Sequence, residues 1–193
     1  MKYVEIINAL KNSLLKANQN AKGIKGKLHR DRSKEFLEEL RKEFSVKFPI
    51  ENSFVVFTKH FSGNRPEFGL NELLYDLLVC ETGKTLSAKG INELSFVRKA
   101  IWQIESEFKE SNVRELIWDF NKLVIGSGEN KMFICSIPKH GKQVQFLNSL
   151  KPIAACCSGN VFMAFLQHPK NWSKEMNPEI ILLEFDKDWK LIS

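Results

Sequence analysis

The stretch WQIESEF, residues 102–108, decides how this chain is read. Its bulky apolar and aromatic residues describe a buried strand, and in a strand residues two apart share a face. Glu105 and Glu107 therefore project together, while Ile104 and Ser106 point the other way. Uncompensated burial of carboxylates is expensive, so a core strand that carries two of them requires partners or a cation.

Working outward, the residues before this strand change period twice. Residues 3–16 place Val4, Ile7, Leu10, Leu14 and Leu15 at helical spacing, and residues 33–44 repeat this with Phe36, Leu37, Leu40 and Phe44. SFVVFTKHF (53–61) is β-branched and aromatic, which predicts a strand. A short helical or irregular lead-in around Glu72 and a strand from about Tyr75 to Glu81 follow. GKTLSAKG (83–90) reads as a loop, and 91–100 as a short helical piece.

Downstream, SNVRELIWDFNKLVIG (111–126) is the clearest helix, with Ser111 as N-cap, Val113, Leu116, Ile117, Phe120, Leu123 and Val124 at helical spacing, and Gly126 as its stop. KMFICSIP (131–138) is a continuous apolar run suited to a strand buried on both faces. QVQFLNSLKPIAACC (143–157) predicts a less regular helix, and VFMAFLQHP (161–169) and EIILLEFD (179–186) two closing strands. The order helix, helix, three strands, helix, strand, helix, strand, strand predicts an α/β fold with a mixed sheet of five to six strands flanked by helices. At 193 residues the chain suits one domain, with residues 1–48 a helical, basic part and 49–193 the α/β core.

Charge and composition narrow the function classes. A formal net charge of +6 and a pI near 9.1 favour polyanionic partners. The basic residues are densest in NQNAKGIKGKLHRDRSK, where Lys22, Lys25, Lys27, Arg30, Arg32 and Lys34 face one acid, Asp31, and supply nonspecific phosphate contacts in a nucleic-acid-binding reading. No apolar run approaches the roughly 18 residues of a membrane span, and Cys80, Cys135, Cys156 and Cys157 form no CxxC pair. The expectation is a cytoplasmic protein with buried thiols and no membrane association. His29, His60, His140 and His168 lack HExxH spacing, and KGIKGK lacks the P-loop pattern, which argues against zinc hydrolases and P-loop nucleotide hydrolases. The four tryptophans read as core or strand-edge residues.

If Asp76 ends an adjacent strand near Glu105 and Glu107, three carboxylates converge, and Mg²⁺ is the hard cation that such oxygens hold, with Mn²⁺ as a substitute. With Asp119 and Lys122 one turn apart on the next helix, the arrangement resembles the restriction-endonuclease-like PD-(D/E)XK nucleases, and within them the BamHI type, where Glu replaces the last Lys of the motif. The matching residues are Asp76, then Glu105-Ser106-Glu107, then NKLVIG (121–126), then KMFICSIP, over roughly 68–138. NELLYDLL (71–78) also resembles a Glu-x-x-x-Asp lead-in, which adds Glu72 as an accessory acid. Two departures stand out: no Pro precedes Asp76, and position 107 is not Lys.

The resemblance implies Mg²⁺-dependent hydrolysis of phosphodiester bonds, in DNA rather than RNA, by an enzyme often found as a homodimer. Asp76, Glu105 and Glu72 become the metal ligands, Glu107 the group that orients or deprotonates water, and Lys122 a stabiliser of phosphate charge. The alternatives are a nuclease-derived module that binds nucleic acid without turnover, and an interaction subunit of a defence or toxin system whose acids meet a basic partner. Each of these acids and cations also has a plain reading, as a solvated or ion-paired surface group or a flexible loop residue.

Overall fold

A computed structural model describes residues 1–21, 28–69, 73–90, 92–108, 113–138, 143–173, 176–185 and 191–192. Helices α1 (Tyr3–Asn20) and α2 (Leu28–Lys47) open the chain. The apolar stripe of α1 is Ile6, Ala9, Leu10, Leu14 and Ala17; of the stripe read from spacing Leu10 and Leu14 are buried as expected, whereas Val4 is 65% exposed. In α2 the expected Phe36, Leu37, Leu40 and Phe44 are all buried. The helix begins earlier than expected, so Arg30, Arg32 and Lys34 sit on helical turns and not in a loop.

Strand β1 (Phe54–Thr58), the one-turn helix α3 (Arg65–Phe68) and strands β2 (Leu77–Leu86) and β3 (Glu93–Glu107) follow. Residues expected to be a loop and a short helix, 83–90 and 91–100, are for the most part the two arms of a β2–β3 hairpin, with Thr85 facing Leu94 and Leu86 facing Glu93. Helix α4 (Val113–Ile125) leads to β4 (Asn130–Ser136), α5 (Gln143–Ala154) to β5 (Asn160–Leu166), and β6 (Ile180–Phe185) and β7 (Leu191–Ile192) end the sheet. The expected N-cap Ser111 lies outside the described residues.

The strands lie side by side in sequence order, β1 to β7. β3, β4 and β5 are parallel and every other neighbouring pair is antiparallel. Parallel neighbours need crossovers, which α4 and α5 provide; crossovers of one hand in one direction place both helices on one face. There Leu116, Phe120, Leu123, Leu150 and Ala154 pack on Phe133, Cys135, Met163 and Phe165. The helical pair α1/α2 covers the other face, against Trp102, Ile104, Met132, Ile134 and Phe162. Burying such side chains contributes about 1.5–3 kcal/mol each, which is why β4 and β5 read as continuous apolar runs. Cys80 and Cys135 belong to this interior, whereas Cys156 is exposed and Cys157 half-buried, contrary to expectation.

One backbone position is fixed by geometry. Gly159, before β5, has φ +77°, and a Cβ there would lie 2.4 Å from the Glu129 carbonyl oxygen. Gly159→Ala is therefore expected to lose on the order of 2 kcal/mol of unfolding free energy, combining left-handed strain with displacement of rigid backbone. Urea denaturation measures it; an unchanged midpoint would show that the turn can relax.

Candidate active site

The acids meet where β2 starts and β3 ends. Leu77 faces Ile104, and the same antiparallel register continued by one residue sets Asp76 beside Glu105. The turn that delivers Asp76 is strained. Leu74, a non-glycine residue, has φ 64°, and Tyr75 N–H donates to the Leu73 carbonyl at 2.6 Å. A left-handed residue of this type costs about 1–2 kcal/mol. Anchoring on both sides offsets that cost. Tyr75 is buried, and its hydroxyl donates to the Lys122 carbonyl at 3.2 Å. Asp76 Oδ2 accepts from the Ser106 amide at 2.9 Å and the Ser106 hydroxyl at 2.7 Å.

Glu105 is 1% exposed. Its Oε2 accepts from Lys122 Nζ at 3.0 Å, while its Oε1 is buried with no hydrogen-bond partner among the described residues. Lys122 Nζ also lies 3.0 Å from Asp119 Oδ1. Burial first, and the neighbouring Asp76 charge second, push the Glu105 carboxyl up to about 8 against the downward pull of Lys122. Burial pulls the Lys122 ammonium down, but its bonds to Asp119 and Glu105 outweigh that and hold it above the ordinary lysine range. Tyr75 is raised by burial and by Glu105.

The surrounding backbone closes on the same face of β3. Gln103 Oε1 accepts from Gly128 N–H at 3.0 Å. A Cβ at Gly126 would stand 2.1 Å from that oxygen and 2.5 Å from the Tyr75 hydroxyl, so a larger residue in the turn after α4 would displace both side-chain ends. Gly126 was legible in sequence as a helix stop; its packing role was not.

The expected site residues thus separate into groups. Asp76, Glu105 and Lys122 are brought together. Glu107 is half-buried as the last residue of β3, on the Glu105 face by alternation, and is engaged in an interaction of its own. Among the described residues no three His, Cys, Asp or Glu side chains are grouped to hold a metal ion, so the expected convergence of Asp76, Glu105 and Glu107 into one such cluster is not seen. Glu72, Lys22, Lys25 and Lys27 lie outside the described residues. Arg30 and Lys34 are exposed on α2. Arg32 turns inward instead, its Nη1 donating to the Pro169 carbonyl at 2.8 Å, and burial lowers its guanidinium below the usual range.

Sequence reasoning missed Ser106 as the group that holds Asp76 and Tyr75 as the anchor between turn and helix. Their places, between the two acids and next to Asp76, were the available signal. Trp118, expected in the core or at a strand edge, is 56% exposed on α4 with the Arg114 guanidinium 4.7 Å from its ring centroid.

Compared with family models, curated proteins and solved structures, the chain matches none. Fold and site together define an α/β protein with an open mixed sheet, an N-terminal helical pair and two neighbouring acids, Glu105 buried and Asp76 half-buried, where β2 starts and β3 ends. Among the described residues no helix is long and apolar enough to cross a membrane.

Proposed function

We propose that the protein is a Mg²⁺-dependent nuclease of restriction-endonuclease-like fold that hydrolyses phosphodiester bonds in DNA. The observation that carries the reading is Glu105: a buried carboxylate with one oxygen unpartnered among the described residues, beside Asp76 at the end of the β2–β3 pair. The element order supports it, since α2, β1, β2, β3, α4 and β4, with only the one-turn α3 between β1 and β2, follow the helix, three strands, helix, strand sequence expected of such a core. So does the placement of Asp76 immediately before β2 and of Glu105 and Glu107 at the tail of β3.

The donor set fits a hard divalent cation. Mg²⁺ is commonly held by one or two carboxylates with water and substrate phosphate completing the octahedron, so Asp76 and Glu105 suffice without a third acid. Bound there, the cation would polarise the phosphoryl oxygens and acidify water. Glu105 supplies Oε1, unpartnered among the described residues, and Ser106 holds Asp76 by two bonds to its Oδ2. Glu107, two residues on along the strand, is assigned to orient the attacking water and take its proton as the water oxygen bonds to phosphorus and the phosphorus–O3′ bond breaks, the leaving 3′ oxygen taking a proton from solvent. Lys122 is assigned to hold Glu105 in place, because its ammonium is already shared between Glu105 and Asp119.

Incubation with supercoiled plasmid and Mg²⁺ or Mn²⁺ tests the reading: nicked or linear product is expected, and none in EDTA. One observation favours a second reading. Ser106 on Asp76 and Lys122 on Glu105 already satisfy much of the acid pair, as in a binding module without turnover. DNA affinity indifferent to Mg²⁺, with intact plasmid, would establish that module and overturn the nuclease.

A further inference from the structure

The inward turn of Arg32 ties two distant segments into one surface. Its bond to the Pro169 carbonyl joins the first turns of α2 to the single 3-10 turn Pro169–Asn171 that follows β5. Behind this bond Trp172 is 3% exposed, donates its indole N–H to the Gln167 carbonyl at 2.7 Å, and packs edge-on against Phe36 of α2 at 6.2 Å. The join is therefore a rigid one, with two independent anchors.

Arg30 and Lys34, four apart on one helical face, and Lys170 on the turn are all exposed. His29 and His168 meet between the segments with ring centroids 6.4 Å apart, and His168 Nδ1 accepts from the Lys170 amide at 3.0 Å. The acids of the same helical segment, Asp31 and Glu35, are half-buried. The basic side chains are thus the more exposed ones, and they are spread over two segments, as a string of phosphates requires and a single anion does not.

Its position matters as well. The parallel strands β3, β4 and β5 end together at Glu107, Ser136 and Leu166, so the turn at Pro169 leaves the same end of the sheet that carries Glu105. The ends of β3 and β5 are two intervals apart, about 10 Å, with Glu105 on the α4 side of the sheet and α2 on the other, so a bound duplex would cross the sheet end between them.

We infer that the first turns of α2 and the Pro169–Asn171 turn form a clamp for the phosphate backbone of duplex DNA, with Arg30, Lys34 and Lys170 as its contacts and Arg32 as the strut that sets their spacing. The choice of DNA rests on the nuclease reading; the surface itself does not. The contacts are sequence-independent and add salt dependence, about 0.9 in the slope of log K against log salt per phosphate neutralised.

Anisotropy of a labelled duplex, measured in EDTA over a salt series with the full chain, tests the clamp. The triple variant R30A/K34A/K170A is expected to bind more weakly and with a slope smaller by about 2–3. A control triple at exposed lysines elsewhere, K11A/K59A/K89A, is expected to keep the wild-type slope. No wild-type binding to duplex, equal losses in both triples, or binding to anionic vesicles alone would each overturn the clamp. Binding in EDTA with plasmid left intact in Mg²⁺ would sink the catalytic reading and leave the clamp standing. Cleavage in which the clamp triple equals the wild type in rate and salt dependence would do the reverse.

Discussion

Glu105→Gln is expected to abolish plasmid cleavage, by on the order of 10³-fold or more, and at the same time to stabilise the protein at alkaline pH. The first effect follows from the site. Gln keeps the shape and one acceptor oxygen but removes the charge that would hold the cation, and losing a group that stabilises the transition state costs rates of this size. The second follows from linkage. Glu105 is raised to about 8 in the folded chain from an ordinary 4.5. Below pH 4.5 both folded and unfolded chains hold the proton. Between 4.5 and 8 the unfolded chain has released it and the folded chain has not, so stability falls as pH rises, by up to about 1.4 kcal/mol per pH unit. Gln does not titrate and escapes this loss. At pH 5 the variant and the wild type should melt close together; at pH 9 the variant should gain on the order of 4 kcal/mol, about 8–16 °C in Tm for a chain of this length. Thermal melts at the two pH values check it. An equal Tm difference at both would mean that Glu105 is not a buried titrating acid, and undiminished cleavage would remove it from the catalytic set. A residue whose removal helps folding and hurts turnover is retained for chemistry rather than for packing.

Much of this site was legible because β3 obeys strand alternation where it is buried. Trp102 and Ile104 face the α1/α2 core and Glu105 the α4 side, so the sequence alone could state which acids share a face. Legibility failed where nothing covers the chain. The β2–β3 hairpin extends past β1 on one side and past β4 on the other, and Leu94, Phe96 and Val97 there are 50%, 43% and 39% exposed. With no core to face, its residues follow no apolar period, and glycines and lysines at 83–90 read as a loop. The α1 stripe was misplaced in part for a related reason: small residues such as Ala9 and Ala17 fit between close-packed helices and carry little weight in a pattern of large ones. Arg32 and Lys122 are a different kind of failure. Composition counts both as surface charge, yet one bonds a backbone carbonyl and the other a buried acid, and only tertiary placement distinguishes a contact for DNA from a brace inside the protein.

Lys122→Met separates the two roles a lysine can have here. As a brace, Lys122 favours the ionised form of Glu105, which it bonds at 3.0 Å, and burial with Asp76 opposes it. Removing it leaves the opposing influences alone, so Glu105 should release its proton at a pH above 8 rather than near it. Cation binding competes with that proton, and the ascending limb of the pH–rate profile should move to higher pH by at least about one unit, lowering cleavage at pH 7 about tenfold per unit moved. The plateau should survive, because once Glu105 is ionised the acid pair is intact; activity at pH 9.5 should return to within about tenfold of wild type. Lys122→Arg, which keeps a charge but not the point geometry shared with Asp119, should fall between the two. If Lys122 instead contacts the scissile phosphate, Lys122→Met loses about 10²- to 10³-fold at every pH and the limb stays where it was. Rates of plasmid nicking from pH 6 to 9.5, with Mg²⁺ titrated at each, distinguish the outcomes. An unshifted limb would remove Lys122 from control of Glu105, and a shifted limb with an intact plateau would show the cation site and the lysine competing for one carboxylate.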